Sequence, residues 1–349
     1  MSANRQRVIS FFGLLLLITT VTGWASAQEK CGYLDKARKL VIPPQFESAS
    51  QFSEGLAAIQ IEKDGKVGYI DTTGKIVIPA QFAFGGSFSE GLAAIQTEKG
   101  GKWGYIDTAG KVVIAPQFAG ARPFFSKGLA PIQSDKGGKW GFINKMGAVV
   151  VQPQFSNVDR QFREGLKPVS VGGRWGYVDK TGQLVIPPQF QYARPFSEGL
   201  AEFMQDLKWG YIDKTGKQVI APEFDYAWGF SEGLAGIFTK KSGKSGYIDK
   251  TGRIVIPPQF DDYPSPFSEG LASIRLGGKY GYIDTTGKIV IPPQFASAGK
   301  FYGGLAPVQV EEEGKYGHID KAGKVVIQPQ FVQVPQFSEG LAAVCVAMQ

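Results

Sequence analysis

The chain has 349 residues and a formal net charge of +7, with two cysteines and one histidine. The positive charge is spread along the whole chain, largely as lysines in predicted turns, whereas a nucleic-acid-binding protein concentrates its basic residues on one face. One histidine without a second histidine or a cysteine beside it does not make a metal site. Composition and charge therefore argue against nucleic acid and a bound metal, and the length is sufficient for a sizeable hydrophobic core.

Residues 1–27 have the pattern of a secretory signal peptide. Arg5 and Arg7 form a basic start, an apolar run follows, and Ala25-Ser26-Ala27 is a small-x-small cleavage site. Cleavage after Ala27 leaves a mature domain of residues 28–349 with a formal charge of +5. The alternative is a membrane anchor, which the cleavage site disfavours, and no later segment approaches the roughly 20 apolar residues that span a bilayer. We expect a secreted or periplasmic protein.

The rest of the chain repeats a unit whose phenylalanine, in an element of the Pro-Gln-Phe type, recurs every 34 to 37 residues. The nine positions are Phe46, Phe82, Phe118, Phe155, Phe190, Phe224, Phe260, Phe295 and Phe331. A period of this size indicates a repeat architecture, in which one unit cannot bury its apolar face alone and neighbouring units share a core. Residues 28–349 are therefore predicted to form one domain of nine repeats.

Each unit is predicted to contain three short strands. Residues 103–107 have aromatic side chains at alternate positions, which places them on one face of an extended chain. Asp107-Thr108-Ala109-Gly110 is a turn in which the Asp side chain accepts a backbone hydrogen bond and Gly supplies a positive φ. Residues 111–114 form a second strand that Pro116 should end. Residues 128–132 begin a third strand.

The third strand is predicted to return through a hairpin into the first strand of the next unit. The distance from the Leu of the Gly-Leu element to the Gly after the Trp position is either 12 residues, as from Leu92 to Gly104, or 10, as from Leu166 to Gly176. A difference of two removes one residue from each arm and preserves the register, whereas a one-residue slip would invert the faces. Gly172-Gly173 should form the two-residue turn of the short version.

The pattern Lys-Trp-Gly-Tyr-Ile-Asp, Gly-Lys-x-Val-Ile-Pro-Pro-Gln-Phe and Phe-Ser-Glu-Gly-Leu-Ala resembles the WG (or KWG) repeat family, a mainly bacterial group. The resemblance covers residues 31–344 in nine in-phase copies. It implies an all-β repeat protein with a binding or scaffolding role, and the family supplies no catalytic residues. Five units depart at the Trp position, which holds Cys31, Val67, Ser245, Tyr280 and Tyr316. Such substitutions favour a packing role for the Trp over a ligand contact in every unit.

The candidate catalytic residues are periodic, which argues against an enzyme. A pair of catalytic carboxylates needs two unlike environments that separate their pKa values, yet the turn Asp and the Glu before Gly-Leu recur in near-identical settings. In one unit Asn144 replaces the turn Asp and keeps the capping oxygen without the charge. His318 stands where most units have Tyr, which indicates a structural variant. We expect no catalytic residue, metal or cofactor.

Function is expected where the copies differ, in the segment after Pro-Gln-Phe. The candidate binding residues there are Arg122, Arg160, Tyr192, Arg194, Tyr226 and Trp228, with Tyr263 in the same segment of a later unit. Three of them, Arg122, Arg194 and Trp228, follow their phenylalanine by four residues and should recur on one face. Exposed aromatic and arginine side chains are favoured at binding surfaces. The alternative is that these side chains fill irregular packing between units.

The two cysteines predict how the array ends. Cys31 occupies the Trp position of the first unit, and Cys345 lies four residues after the Leu of the last Gly-Leu element. In the short hairpins the residue at that position, for example Ser170, should lie opposite the Trp position, for example Trp175. Cys31 and Cys345 therefore become cross-strand neighbours, within disulfide range, if the chain closes into a propeller-like ring. The alternative is an open β-solenoid with two free thiols, since propellers typically have about 4–8 blades.

These observations predict an exported, non-enzymatic binding or scaffold protein that contacts a protein or glycan of the cell envelope. The alternative from another class is a glycan-processing enzyme with its carboxylates on divergent repeats. The sequence leaves open the identity of the partner and the oligomeric state.

Overall fold

The computed structural model describes residues 29–35, 39–123, 128–159, 162–331, 334 and 337–347, and the predicted signal peptide lies outside them. Each repeat contributes to one small antiparallel sheet, and the nine sheets form the blades of a nine-bladed β-propeller. The predicted all-β fold and the propeller-like ring are confirmed. No helix long and apolar enough to cross a membrane occurs in the described part of the chain.

Blades 1 to 6 and blade 8 each have four strands in chain order, and blade 7 has three. The first strands have two residues each: Ser48–Ala49, Phe84–Gly85, Gly120–Ala121, Asn157–Val158, Tyr192–Ala193, Tyr226–Ala227 and, in blade 8, Ser297–Ala298. The second strands are Leu56–Gln60, Leu92–Gln96, Leu129–Gln133, Leu166–Val171, Leu200–Gln205, Leu234–Thr239, Leu271–Leu276 and Leu305–Gln309. The third strands are Val67–Asp71, Trp103–Asp107, Trp140–Asn144, Arg174–Asp179, Lys208–Asp213, Lys244–Asp249, Lys279–Asp284 and Tyr316–Asp320. The fourth strands are Ile76–Phe82, Val112–Phe118, Val149–Phe155, Leu184–Phe190, Gln218–Phe224, Ile254–Phe260, Ile289–Phe295 and Val325–Phe331.

Blade 9 combines the two ends of the chain. Its sheet has the order Leu40–Phe46, Glu29–Asp35, Leu341–Ala347 and Phe337–Ser338, so strands from both termini pair directly. Cys31 lies opposite Cys345 in this pairing, with a Cα–Cα distance of 3.9 Å, and the two form a disulfide. The predicted closure and the Cys31–Cys345 bond are confirmed, and the open solenoid is excluded.

The predicted hairpin register is also confirmed. In the short version Ser170 pairs with Trp175 and Val171 with Arg174, which leaves Gly172-Gly173 as the two-residue turn. In the long version Gln96 pairs with Trp103. We call the end of each sheet that carries this hairpin and the Trp position the hairpin end. The other end, which carries the Asp-x-x-Gly turn, is the turn end.

The fourth strand differs from the prediction that Pro116 ends it. The strand continues to Phe118, which pairs with Trp103, and the register is irregular between Ile114 and Phe118. Because this strand lies at the edge of its sheet, the missing N–H of proline costs no ladder hydrogen bond. The glycine after the Trp belongs to the same irregularity, since a Cβ on Gly104 would lie 2.5 Å from the Ile114 carbonyl oxygen.

The hydrophobic core lies between adjacent blades. One buried cluster joins Trp175, Tyr177 and Phe190 of blade 4 to Phe196 and Phe203 of the segment and strand that follow in blade 5. Comparable clusters occur at the other blade interfaces. Each blade is therefore stabilised by its neighbours, as expected for a repeat protein.

Candidate binding surface

The periodic Asp residues cap their own turns. In blade 2 the Asp107 Oδ1 atom accepts hydrogen bonds from the amides of Ala109, at 3.0 Å, and Lys111, at 2.9 Å. Asn144 makes the same two contacts in blade 3. In blade 1 the Thr73 hydroxyl also donates to Asp71, and these contacts lower the pKa of the Asp71 carboxyl below its usual value. The predicted structural role of the turn Asp is confirmed.

The Glu of the Ser-Glu-Gly segment connects one blade to the next. The Glu54 carboxylate accepts the amides of Glu90 and Gly91 in the following blade, at 2.6 and 2.7 Å. Seven glutamates accept at least one of the equivalent amides in the following blade: Glu54, Glu90, Glu164, Glu198, Glu232, Glu269 and Glu339. We call this arrangement the glutamate clasp. All seven of these glutamates have a positive φ, between 50° and 56°.

A lysine of the next blade completes several clasps. The Lys214 ammonium lies 3.0 Å from the Glu164 carboxylate, which also accepts the Gly199 amide at 3.0 Å. Partial burial alone would raise the pKa of Glu164, but the Lys214 and Gly199 contacts outweigh it and lower that pKa. The neighbouring serine adds a further link, because the Ser197 hydroxyl donates to the Phe230 carbonyl of the next blade at 2.7 Å. The Ser-Glu-Gly-Leu motif is thus a connector between blades.

Arg122, Arg194 and Trp228 occupy equivalent places, as predicted, because each donates its amide to the second strand of its own blade. The two arginines also reach the next blade. The Arg194 guanidinium lies 4.4 Å from the ring centroid of Trp209 in its own blade and donates to the Ala227 carbonyl of the next blade at 3.1 Å.

The Arg122 guanidinium makes the matching contacts with Trp140, at 4.3 Å from the ring centroid, and with the Val158 carbonyl. Both arginines therefore contribute to packing between blades, which is the alternative that the sequence left open. Their contribution to binding stays a prediction. Arg160 lies outside the described residues.

Aromatic side chains gather at the hairpin ends of blades 4 to 7. The ring of Tyr192, which is 37% exposed, lies between Trp175 and Trp209, at centroid distances of 5.0 and 5.8 Å. A larger group follows one blade further on, and we call it the aromatic patch: Tyr226, Trp228, Phe238 and Tyr263.

The aromatic patch joins blade 6 to the segment that precedes blade 7. Tyr263 lies 5.3 Å from Trp228, 5.8 Å from Tyr226 and 5.2 Å from Phe238, measured between ring centroids. Its side chain is 56% exposed. The Lys240 ammonium lies 5.5 Å from the Tyr226 ring. The structure thus brings Tyr226 and Trp228 together, and Phe238 is a member that the sequence reasoning missed because it lies on the second strand.

Two buried ionisable side chains were also missed. Glu202 is 3% exposed, and burial raises the pKa of its carboxyl to about 7, although the Arg194 guanidinium, 3.9 Å away, acts in the opposite direction. Lys167 is 2% exposed, and burial together with Arg122 lowers the pKa of its ammonium to about 8, opposed by Asp159. The sequence carried a signal, because most other repeats hold alanine or another small residue at these positions.

A surface cavity of about 280 Å³ opens between blades 1 and 2, lined by Ser48, Gln60, Val67 and Phe84 among others. Val67 occupies the Trp position here, and its small side chain leaves space that an indole fills in blades 2 to 5. No group of three or more His, Cys, Asp or Glu side chains that could hold a metal ion occurs among the residues that the structure describes.

Several solved structures resemble this chain. A eukaryotic initiation factor is 12% identical, covers 91% of this chain and 98% of its own, and superposes with a TM-score of 0.60. Kluyvelomyces marxianus Hsv2 is 7% identical over 70% of this chain and 96% of its own, with a TM-score of 0.39. A catalytically inactive virginiamycin B lyase from Staphylococcus aureus, with quinupristin, is 13% identical over 90% and 99%, with a TM-score of 0.34. Only the first of these structures has a TM-score above 0.5, and at 12% identity its similarity to this chain concerns the fold alone.

A search of curated proteins found no significant match. The model of the WG containing repeat matches nine consecutive segments, at residues 32–66, 68–103, 103–140, 140–175, 175–209, 209–241, 246–280, 280–316 and 316–347. The nine matched segments follow one another around the ring with the same period as the nine blades. The chain therefore belongs to the WG-containing repeat family, with nine copies of the repeat in one nine-bladed propeller.

Proposed function

We propose that the protein is an exported, non-enzymatic binding or scaffold protein that contacts a glycan or another protein of the cell envelope through the hairpin ends of blades 5 to 7. The observation that carries this proposal is the aromatic patch. Trp and Tyr offer large, rigid contact area together with a polar atom, and they are favoured at the centres of binding surfaces. Tyr192, which is 37% exposed, extends this surface toward blade 4.

Export is supported by two features. Residues 1–27 have the signal-peptide pattern, and the Cys31–Cys345 disulfide suits an oxidising compartment, where such bonds persist. Fractionation of the native cells, with antibody detection of the protein and mass measurement of its amino terminus, tests this part. Recovery of an uncleaved chain from the cytoplasm would contradict it.

The binding role is tested with a double variant, Trp228→Ala with Tyr263→Ala, used to capture envelope components and a panel of envelope glycans. Because Tyr263 is mostly exposed, we expect the variant to keep its fold. We expect capture to fall at least about tenfold, because truncating an aromatic residue at the centre of a binding surface typically has an effect of that size. Tyr302→Ala is the matched control, since Tyr302 is 63% exposed and lies outside the aromatic patch, at the turn end of blade 8. Equal capture by both variants and the original protein would refute the proposal.

The second candidate is a glycan-processing enzyme, and Glu202 is the observation that favours it. A carboxyl with a pKa of about 7 has the protonation range of a general acid. Its 3% exposure places it away from solvent and favours the binding role instead. Turnover of a cell-wall or exopolysaccharide substrate that disappears in Glu202→Gln would support the enzyme.

A further inference from the structure

Two repeats lack the clasp glutamate and have Lys127 and Gly303 in its place, and a lysine accompanies the receiving half that follows Lys127. Between Glu90 and Glu164 the repeat has Lys127 at the clasp position. The amides that such a glutamate would reach belong to Glu164 and Gly165, and neither donates a hydrogen bond within the described part of the chain. In contrast, the equivalent amides of Glu90 and Gly91 both bind Glu54.

The backbone at Glu164 and Gly165 has the same form as in a filled clasp. Their φ angles are 50° and 90°, compared with 53° and 83° at Glu90 and Gly91. The flanking bridge between Arg163 and Leu166 is also present, with hydrogen bonds of 3.1 and 2.9 Å. The two amides are therefore held in a receiving conformation, and no carboxylate among the described residues of the preceding blade accepts them.

A lysine stands beside these amides, as in the filled clasps. The Lys180 side chain approaches Gly165, with its ε-carbon 4.0 Å from the position that a Cβ on this glycine would take. The Lys145 ε-carbon lies 3.4 Å from the same position on Gly128, and there the ammonium is 3.4 Å from the Glu90 carboxylate. Lys180 is thus the counterpart of a lysine that contacts a clasp carboxylate. Glu164 is exposed and Gly165 is partly exposed, so this segment lies at the surface of the described structure.

We propose that the Glu164 amide, the Gly165 amide and Lys180 form a binding site for an external carboxylate, of the kind that a glutamate side chain of an acidic peptide carries. Two N–H donors and an ammonium make charge-assisted hydrogen bonds to a carboxylate. The filled clasps show the same groups holding the same ligand inside this protein. Glu164 itself does not compete, because its carboxylate is engaged by Gly199 and Lys214.

The test is a titration of the ¹⁵N-labelled full-length mature protein with sodium propionate, which reproduces the glutamate side chain, at constant ionic strength. We expect saturable shifts of the Glu164 and Gly165 amide resonances with an affinity of about millimolar, as for one small ion held by three groups. The amides of Glu198 and Gly199, which hold Glu164, are the internal control and should not respond. Propionamide, which lacks the charge, is the ligand control.

Three variants separate this site from non-specific binding. Lys180→Ala should weaken propionate binding about two- to fivefold, the range of an exposed ion pair. Lys127→Glu should abolish the response and raise the melting temperature, because it restores the clasp. Glu54→Ala should create a new response at Glu90 and Gly91. The proposal is overturned if the Glu164 and Gly165 amides respond no more to propionate than to propionamide, or if Lys127→Glu leaves the response intact.

Discussion

The buried Glu202 carboxyl should make the stability of the propeller depend on pH. Its pKa is raised from 4.5 to about 7 in the folded protein, chiefly by burial. An acid whose folded pKa is raised contributes stability that is fully present below pH 4.5. That stability is lost as the pH rises through 7, because the unfolded chain then ionises more easily than the folded one.

The size of the effect follows from the shift. One pKa unit corresponds to about 1.4 kcal/mol, so a shift from 4.5 to about 7 costs about 3 kcal/mol of unfolding free energy between pH 4.5 and pH 8. Glu202→Gln keeps the shape of the side chain and removes the titration. The Arg194 guanidinium retains its contacts with the Ala227 carbonyl and the Trp209 ring in that variant.

The assay is equilibrium urea unfolding of the original protein and Glu202→Gln at pH 5 and pH 8, followed by tryptophan fluorescence. We expect the variant to gain about 2–3 kcal/mol on the original protein between the two pH values, because other titrating groups cancel in the comparison. Glu202→Ala, which copies Ala58 and Ala94 at the same position, should show the same pH trend despite the cavity it leaves. Parallel pH dependences for all three proteins would show that Glu202 does not titrate as the structure indicates.

Three further predictions concern how the ring is held together. Cys345→Ser removes the bond to Cys31 and should lower the unfolding free energy by up to about 5 kcal/mol, an upper figure for so long a loop; a urea midpoint equal to that of the oxidised original protein would contradict it. Glu232→Ala removes the carboxylate that accepts the Gly270 amide at 2.9 Å and should cost about 1 kcal/mol, and an unchanged melting temperature would argue against a role for the clasp in stability. Gly104→Ala places a Cβ against the Ile114 carbonyl oxygen and should lower the unfolding free energy by about 3 kcal/mol or prevent folding. Gly86→Ala is the control that should fold normally, because its Cβ would lie 3.5 Å from the nearest atom, the Ala94 carbonyl oxygen.

The repeat, the hairpin register and the ring closure through Cys31 and Cys345 could all be predicted from the amino-acid sequence. These features follow from local rules, since the pairing of a hairpin depends on its loop length and on the two-residue period of a strand. The closure could be predicted because both cysteines occupy positions whose register every other repeat had already defined. The turn Asp was equally predictable, because its hydrogen-bond partners lie two and four residues away.

The role of the clasp glutamates and the composition of the aromatic patch could not be predicted without the three-dimensional structure. Glu54 accepts amides 36 and 37 residues further along the chain, and Tyr263 meets Phe238 across a blade boundary. The continuation of the fourth strand through Pro116 also depended on where the strand lies in its sheet. Each of these features depends on a neighbouring blade or on where a strand lies in its sheet. The residue pattern within one repeat contains neither piece of information.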